Sequence, residues 1–191
     1  MVKIASTQHQ RSYLPIVSAG LNDEADGYGW DNMRRIDLFK LAASLGCCYL
    51  AAFIGSMFTT PNVPTWYATL ARPSFAPPDW VFAPVWTAIF TLMGISAYLV
   101  WREGTNDPRV KVGLMVFAFQ LAVNVTWSAA FFGLRSPLAG LAVIALLWAL
   151  IALNIQKFKG VSETAAALLL PYIIWVSFAA ALNFEIWRLN P

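Results

Sequence analysis

The chain has 191 residues, of which 59% are hydrophobic and only 12% charged, roughly half the charged share of an ordinary soluble domain. Thirteen Lys and Arg against ten Asp and Glu leave a net charge of +3. That is far short of the basic surface a nucleic-acid binder presents, so nucleic acid is excluded as a partner.

Residues 1–37 mix charges, with Lys3, Arg11, Arg34 and Arg35 against Asp23, Glu24, Asp26, Asp31 and Asp37. This composition predicts a mobile N-terminal tail, separate from a transmembrane domain over 38–191. The single histidine, His9, falls in that tail.

From Leu41 onward five stretches carry no charged side chain: Leu41–Thr60, Val81–Trp101, Val112–Leu134, Ser136–Gln156 and Thr164–Phe184. Each runs 20 to 23 residues. At about 1.5 Å per residue that crosses a hydrocarbon core of about 30 Å. In lipid every backbone polar group must be satisfied internally, so the stretches are helices. The expectation is an all-α membrane protein, a five-transmembrane-helix bundle. The first stretch begins too late for a cleavable signal peptide. Cys47 and Cys48 are adjacent inside it and have no distant partner, so they read as small apolar packing residues, with a reactive thiol as the alternative.

Short polar links at 102–108, 135–137 and 157–160 make helices 2 to 5 antiparallel neighbours. Pro84 and Pro137 suit first turns, whereas Pro171 lies deeper in helix 5 and should bend it or open a gap. Basic residues near the helix ends divide eight (Arg34, Arg35, Lys40, Arg102, Arg109, Lys111, Lys157, Lys159) against three (Arg72, Arg135, Arg188). The positive-inside rule then places the N-terminus inside.

The link between helices 1 and 2, 61–80, is long and holds Trp66, Tyr67, Leu70, Phe75 and Trp80. Six of the eleven prolines fall between Pro61 and Pro84. Proline lowers the entropy lost on fixing a shape, and such large apolar groups do not stay in water. A helical turn at Thr65–Leu70 and an extended run are predicted, lying across the bundle mouth with the aromatics inward. An interfacial aromatic belt facing headgroups is the alternative.

Helical spacing also groups residues within the bundle. Gln120, Asn124 and Trp127 share one face of helix 3, Trp86, Phe90, Met93 and Ala97 one face of helix 2, and Trp175, Ala179 and Leu182/Asn183 one face of helix 5. Buried amides and flat Trp rings suit a pocket for a planar aromatic guest, or interhelical packing with no guest. Spacing alone leaves both open.

A family resemblance is carried by Trp66-Tyr67-x-x-Leu70-x-Arg72-Pro73-Ser74-Phe75-x-Pro77-Pro78-x-Trp80-x-Phe82-x-Pro84-Val85-Trp86-Thr87. Gln120-Leu121-Ala122-x-Asn124-x-x-Trp127 with Phe131-Phe132-Gly133 supports it, as does Pro171-Tyr172-x-x-Trp175-x-x-Phe178-Ala179-x-x-Leu182-Asn183. From Leu38 to Asn190 the chain resembles the TspO/translocator protein (peripheral benzodiazepine receptor) family. That resemblance implies a homodimer with a pocket opening toward the first loop, and tetrapyrroles such as protoporphyrin IX or haem as ligands. Sterols and benzodiazepine-type compounds are further ligands, and no cofactor is required. It implies Trp86, Asn124, Trp127, Trp175 and Ala179 as pocket positions, and with Trp66, Tyr67, Pro77, Pro78, Phe90, Phe178, Leu182 and Asn183 they make up the expected ligand-binding set. Arg72 is the candidate propionate contact. If the protein degrades porphyrin photo-oxidatively, Trp86 and Trp175 are the redox-active residues; a receptor or sensor and a transporter are the other roles the family offers. The sterol-contact pattern of vertebrate members has Phe184 where its tyrosine belongs. No metal-ligand cluster is visible, and haem would bind without a histidine ligand, through Cys47, Cys48 or neither.

Overall fold

The computed structural model describes residues 16–191, with side chains from residue 35 onward. The chain divides into two units at Phe39/Lys40, the second spanning Lys40–Pro191. Helix α1 spans Ile16–Thr59 and so includes residues 16–37, which the composition assigned to the tail. Residues 1–15, His9 among them, lie outside the described residues.

The remaining helices are α2 (Phe82–Arg102), α3 (Pro108–Ser128), α4 (Pro137–Lys159), α5 (Glu163–Leu168) and α6 (Leu170–Leu189). Five segments are long and apolar enough to cross a bilayer: Arg35–Thr59, Asp79–Arg102, Pro108–Gly133, Pro137–Lys159 and Glu163–Leu189. The protein is a five-helix, multi-pass integral membrane protein. Leu50, Phe53, Met115, Phe119 and Ile174 point outward, which costs nothing in lipid tails as apolar as they are.

Local chemistry sets the helix ends. The Asp107 carboxylate accepts the Arg109 N–H at 2.8 Å and Pro108 follows at the first turn, so an orphan donor is satisfied where proline lacks one. Ser136 and Ser162 accept from Ala139 and Ala165 in the same way. The fifth span is broken at Leu169, with Pro171 in the first turn of α6. Proline brings no N–H for the Ala167 carbonyl, and the turn tightens, the Leu169 N–H going to Ala166 at 3.1 Å.

In the lower half of the bundle, which holds the end of α2, the start of α3 and the end of α4, the interior is filled. Val100, Val110 and Phe158 are fully buried, and Phe117 stacks on Phe158 at 5.9 Å. Two buried polar side chains tie helices there: Ser96 Oγ donates to the Ala165 carbonyl at 2.7 Å, and Asn154 Nδ2 to the Gly113 carbonyl at 3.2 Å. Burying such groups is costly unless they are bonded; Asn154 Oδ1 and the Gln120 amide, also buried, have no partner among the described residues.

Candidate functional site: an aromatic cavity beneath the first loop

The loop begins where α1 ends. Asn62 Nδ2 donates to the Phe58 carbonyl at 2.9 Å, while its Oδ1 accepts from Arg135 Nε at 3.1 Å. Arg135 holds this position with φ of 51°, a left-handed conformation uncommon for a residue with a Cβ. The Tyr67 N–H then returns to the Asn62 carbonyl at 2.9 Å and a short 3-10 turn, Tyr67–Thr69, carries the tyrosine inward. Burial holds the Tyr67 phenol above its ordinary value, against the nearby Arg72 cation, so it stays protonated.

Beyond Leu70 the chain is extended and is fastened to α6. The Ala71 N–H donates to Asn190 Oδ1 and Asn190 Nδ2 donates to the Ala71 carbonyl, both at 3.0 Å. Arg72 lies over the Tyr67 ring, 5.4 Å from its centroid, and donates from Nη1 to Asp79 Oδ1 at 2.7 Å. The loop is therefore held to α1, to the α3–α4 turn and to α6.

Beneath it lies a cavity of about 510 Å³. Its walls come from α1 (Ala52, Gly55, Thr59), α2 (Phe82, Trp86, Phe90), α3 (Asn124, Trp127) and α6 (Ala179, Leu182, Asn183), with Tyr67 as part of the roof. Aromatic rings dominate. Trp86 lies 6.5 Å from Trp127 at 30°, and Trp127 stacks on Phe131 at 5.6 Å. A π turn over Ala129–Gly133 extends α3, its Leu134 N–H reaching back to the Ala129 carbonyl at 2.8 Å. The wider turn buries Phe131 and Phe132 together at the cavity edge, where Trp66 meets both rings edge-on. Such turns interrupt α-helices mostly at functional positions.

The polar groups are few and fixed. Asn124 Nδ2 donates to Tyr172 Oη at 2.8 Å, and Trp127 Nε1 donates to Asn183 Oδ1 at 3.3 Å. Asn183 Nδ2 is committed to the Pro137 carbonyl at 2.7 Å. A mostly apolar concavity with a few oriented amides is how small-molecule sites are built. Among the described residues no group of three or more His, Cys, Asp or Glu is arranged to hold a metal ion.

A family model described as the TspO/MBR family matches residues 44–188. The chain belongs to the TspO/MBR family. It is 48% identical over 154 residues to the tryptophan-rich protein TspO of Chlorobaculum tepidum, covering 81% of this chain and 98% of that one. The human translocator protein is 40% identical over 153 residues, covering 80% and 88%. The tryptophan-rich sensory protein of Cereibacter sphaeroides is 35% identical over 147 residues, covering 76% and 88%.

Of the residues expected to bind ligand in this TspO/MBR chain, Tyr67, Trp86, Phe90, Asn124, Trp127, Ala179, Leu182 and Asn183 line the cavity. Trp66 stands outside it against Phe131 and Phe132. Trp175 lies behind Phe82, their rings 5.9 Å apart, and Phe178 packs between Trp175 and Phe75. Arg72, Pro77 and Pro78 bound a smaller recess next to the cavity. Cys48 is buried, Cys47 exposed, and neither lines the cavity. The loop's aromatics divide between the two readings given for them. Trp66, Tyr67 and Leu70 turn inward, but Phe75 is 48% and Trp80 74% exposed, as an interfacial belt would be.

Three contributors were not anticipated. Tyr172 orients Asn124 and faces Trp86 at 6.3 Å. Phe131 and Phe132 form the cavity edge. Ala52, Gly55, Ser56 and Thr59 give α1 a small-residue face, readable in hindsight from their spacing of three and four.

Proposed function

We propose that this TspO/MBR protein is a membrane receptor or sensor that binds tetrapyrroles, protoporphyrin IX or haem, in the cavity beneath the first loop. It acts in porphyrin homeostasis or stress regulation. The carrying observation is the cavity itself: about 510 Å³, with Trp86, Trp127, Phe90 and Phe131 offering flat faces and Asn124 and Asn183 offering oriented amides. That volume lies within the roughly 300–1,000 Å³ typical of small-molecule sites, and stacked rings suit a planar macrocycle. Sterol-like and benzodiazepine-type compounds are further candidates for the same apolar space. Haem would be held by ring contacts rather than by a histidine, since the only one is His9.

The N-terminus is assigned to the inside, from eight basic residues against three. A homodimer is the expected assembly, and the outward pair Ala118 and Ala122 on α3 is its candidate contact. Ser136 and Gly140, small residues at the same spacing of four on α4, are spent within the chain, Ser136 as the α4 cap and Gly140 against Phe131 and Asn183.

A second reading, light-dependent porphyrin breakdown, is favoured by one observation: Trp86 stands in the cavity wall with Trp127 beside it, a pair able to exchange an electron with an excited guest. One experiment separates the two. Protoporphyrin IX is added to detergent-purified protein, Trp fluorescence is followed in the dark and porphyrin absorbance under light. Quenching without decay supports the receptor, quenching with decay the enzyme, and no quenching refutes both.

A further inference from the structure

Asp79 is the one charged residue among those lining the cavity, and it also bounds the adjoining recess of about 360 Å³ with Arg72, Pro73, Ala76, Pro77 and Pro78. The cation suited to an anionic guest is therefore outside the cavity wall, bound at 2.7 Å to a carboxylate that is part of it. The chain between the two partners is stiffened by Pro73, Pro77 and Pro78, and closed by two short turns, Ala76 N–H to Pro73 and Val81 N–H to Pro78, both at 3.0 Å. Tyr67 supports the guanidinium from below. This pair is built to stay together.

We propose that Asp79 is a specificity residue that biases the cavity against planar guests bearing carboxylates, and that such a guest is held by Arg72 only in competition with Asp79. The proposal rests on the tetrapyrrole reading and adds which charge state of the guest is preferred. The Arg72 guanidinium has five N–H donors, and the Nη1 bond to Asp79 leaves its Nε/Nη2 edge available. A propionate docking on that edge lies beside the Asp79 carboxylate, and like charges disfavour the arrangement. If the propionate instead displaces Asp79 from Nη1, that carboxylate loses its ion-pair partner. Either route lowers affinity for the diacid and leaves the uncharged macrocycle untouched. Both groups are partly exposed, 35% and 43%, so solvent screens the effect.

The test compares protoporphyrin IX with its dimethyl ester, the same macrocycle without the charges, by dark Trp quenching of the detergent-solubilised full chain. Asp79→Asn is expected to tighten the diacid about fivefold, the upper end of what an exposed pair contributes, and to leave the ester unchanged. Arg72→Ala should weaken the diacid alone, and adding Asp79→Asn to it should bring no gain. Ester binding reports that each variant is folded. An Asp79→Asn gain shared by the ester, one that persists without Arg72, or no gain at all overturns the proposal while the tetrapyrrole reading stands. Quenching by neither compound overturns both.

Discussion

Gly140 packs against two residues of the cavity wall, Asn183 and Phe131. A Cβ built there meets Asn183 Oδ1 and Phe131 Cδ2 at 2.8 Å and Phe131 Cβ at 3.0 Å, so one of the two side chains has to move. Asn183 resists through its bonds to Trp127 and the Pro137 carbonyl, at 3.3 and 2.7 Å, and Phe131 through its stack on Trp127. Overpacking of this kind costs about 1–3 kcal/mol. Replacing a helical glycine by alanine returns about 0.5–1 kcal/mol, leaving Gly140→Ala less stable by up to about 2.5 kcal/mol. Gly46 in α1 is the control, because a Cβ there meets nothing within 4 Å. Gly46→Ala should gain about 0.5–1 kcal/mol from the same backbone effect. Heating of detergent-purified protein, scored by the monodisperse fraction on size exclusion, gives apparent midpoints. Gly140→Ala should lie below the parent and Gly46→Ala above it. A Gly140→Ala midpoint equal to or above that of Gly46→Ala would refute the close approach of α4 to Phe131 and Asn183.

Tyr172→Phe removes the acceptor of the buried Asn124 amide and should cost about 1–3 kcal/mol, read as a lower midpoint in the same assay. Under the enzymatic reading, Trp86→Phe, at the cavity wall, should keep dark porphyrin quenching while losing light-driven decay, whereas Trp175→Phe, off the cavity, should keep both; decay unchanged in Trp86→Phe removes that reading. The Asp107 carboxyl is held below the ordinary carboxylate value of 3.8, first by the Arg109 side chain and then by the Arg109 N–H. Its folded value being depressed, the stability it adds is complete above 3.8 and lost as pH falls through the lower folded value. Midpoints measured against pH should show this acid-side loss in the parent but not in Asp107→Asn, which keeps the capping oxygen.

The spans were legible because lipid imposes a crude rule: about twenty uncharged residues, bounded by charges and prolines, make one crossing. The inward faces of α2 and α3 were legible too, since Phe90, Met93, Gln120 and Asn124 recur at helical spacing and all are buried. Periodicity does not register a change of helix type. Nothing in Ala129–Gly133 announces a π turn, so the paired burial of Phe131 and Phe132 could not be read from an α-helical projection. Trp175 shows the same limit in another form. It shares a helix face with Ala179, yet it packs edge-on against Phe82, and Phe82 rather than Trp175 lines the cavity. The loop's inward and outward aromatics differ by contacts distant in sequence, Asn190 on Ala71 and Arg135 on Asn62, which no local pattern encodes.

The distribution of space along the bundle bears on the choice among roles. The cavity occupies the loop half, between Thr59, Trp86, Asn124 and Leu182. Below it the bundle closes: Met93 and Val100 on α2, Leu147 and Ile151 on α4 and Val176 on α6 are at most 1% exposed, and the Phe117–Phe158 stack fills the far end. Interiors at this density do not yield to a rigid macrocycle without helices separating. The ties that would have to break are buried ones, Ser96 to Ala165 and Asn154 to Gly113, whose loss leaves polar groups unpaired in an apolar interior. A guest in this cavity meets a packed interior on the side away from the loop. Under the proposed receptor reading occupancy of this site is the signal, whereas a transporter would have to expose the same site to both sides of the membrane.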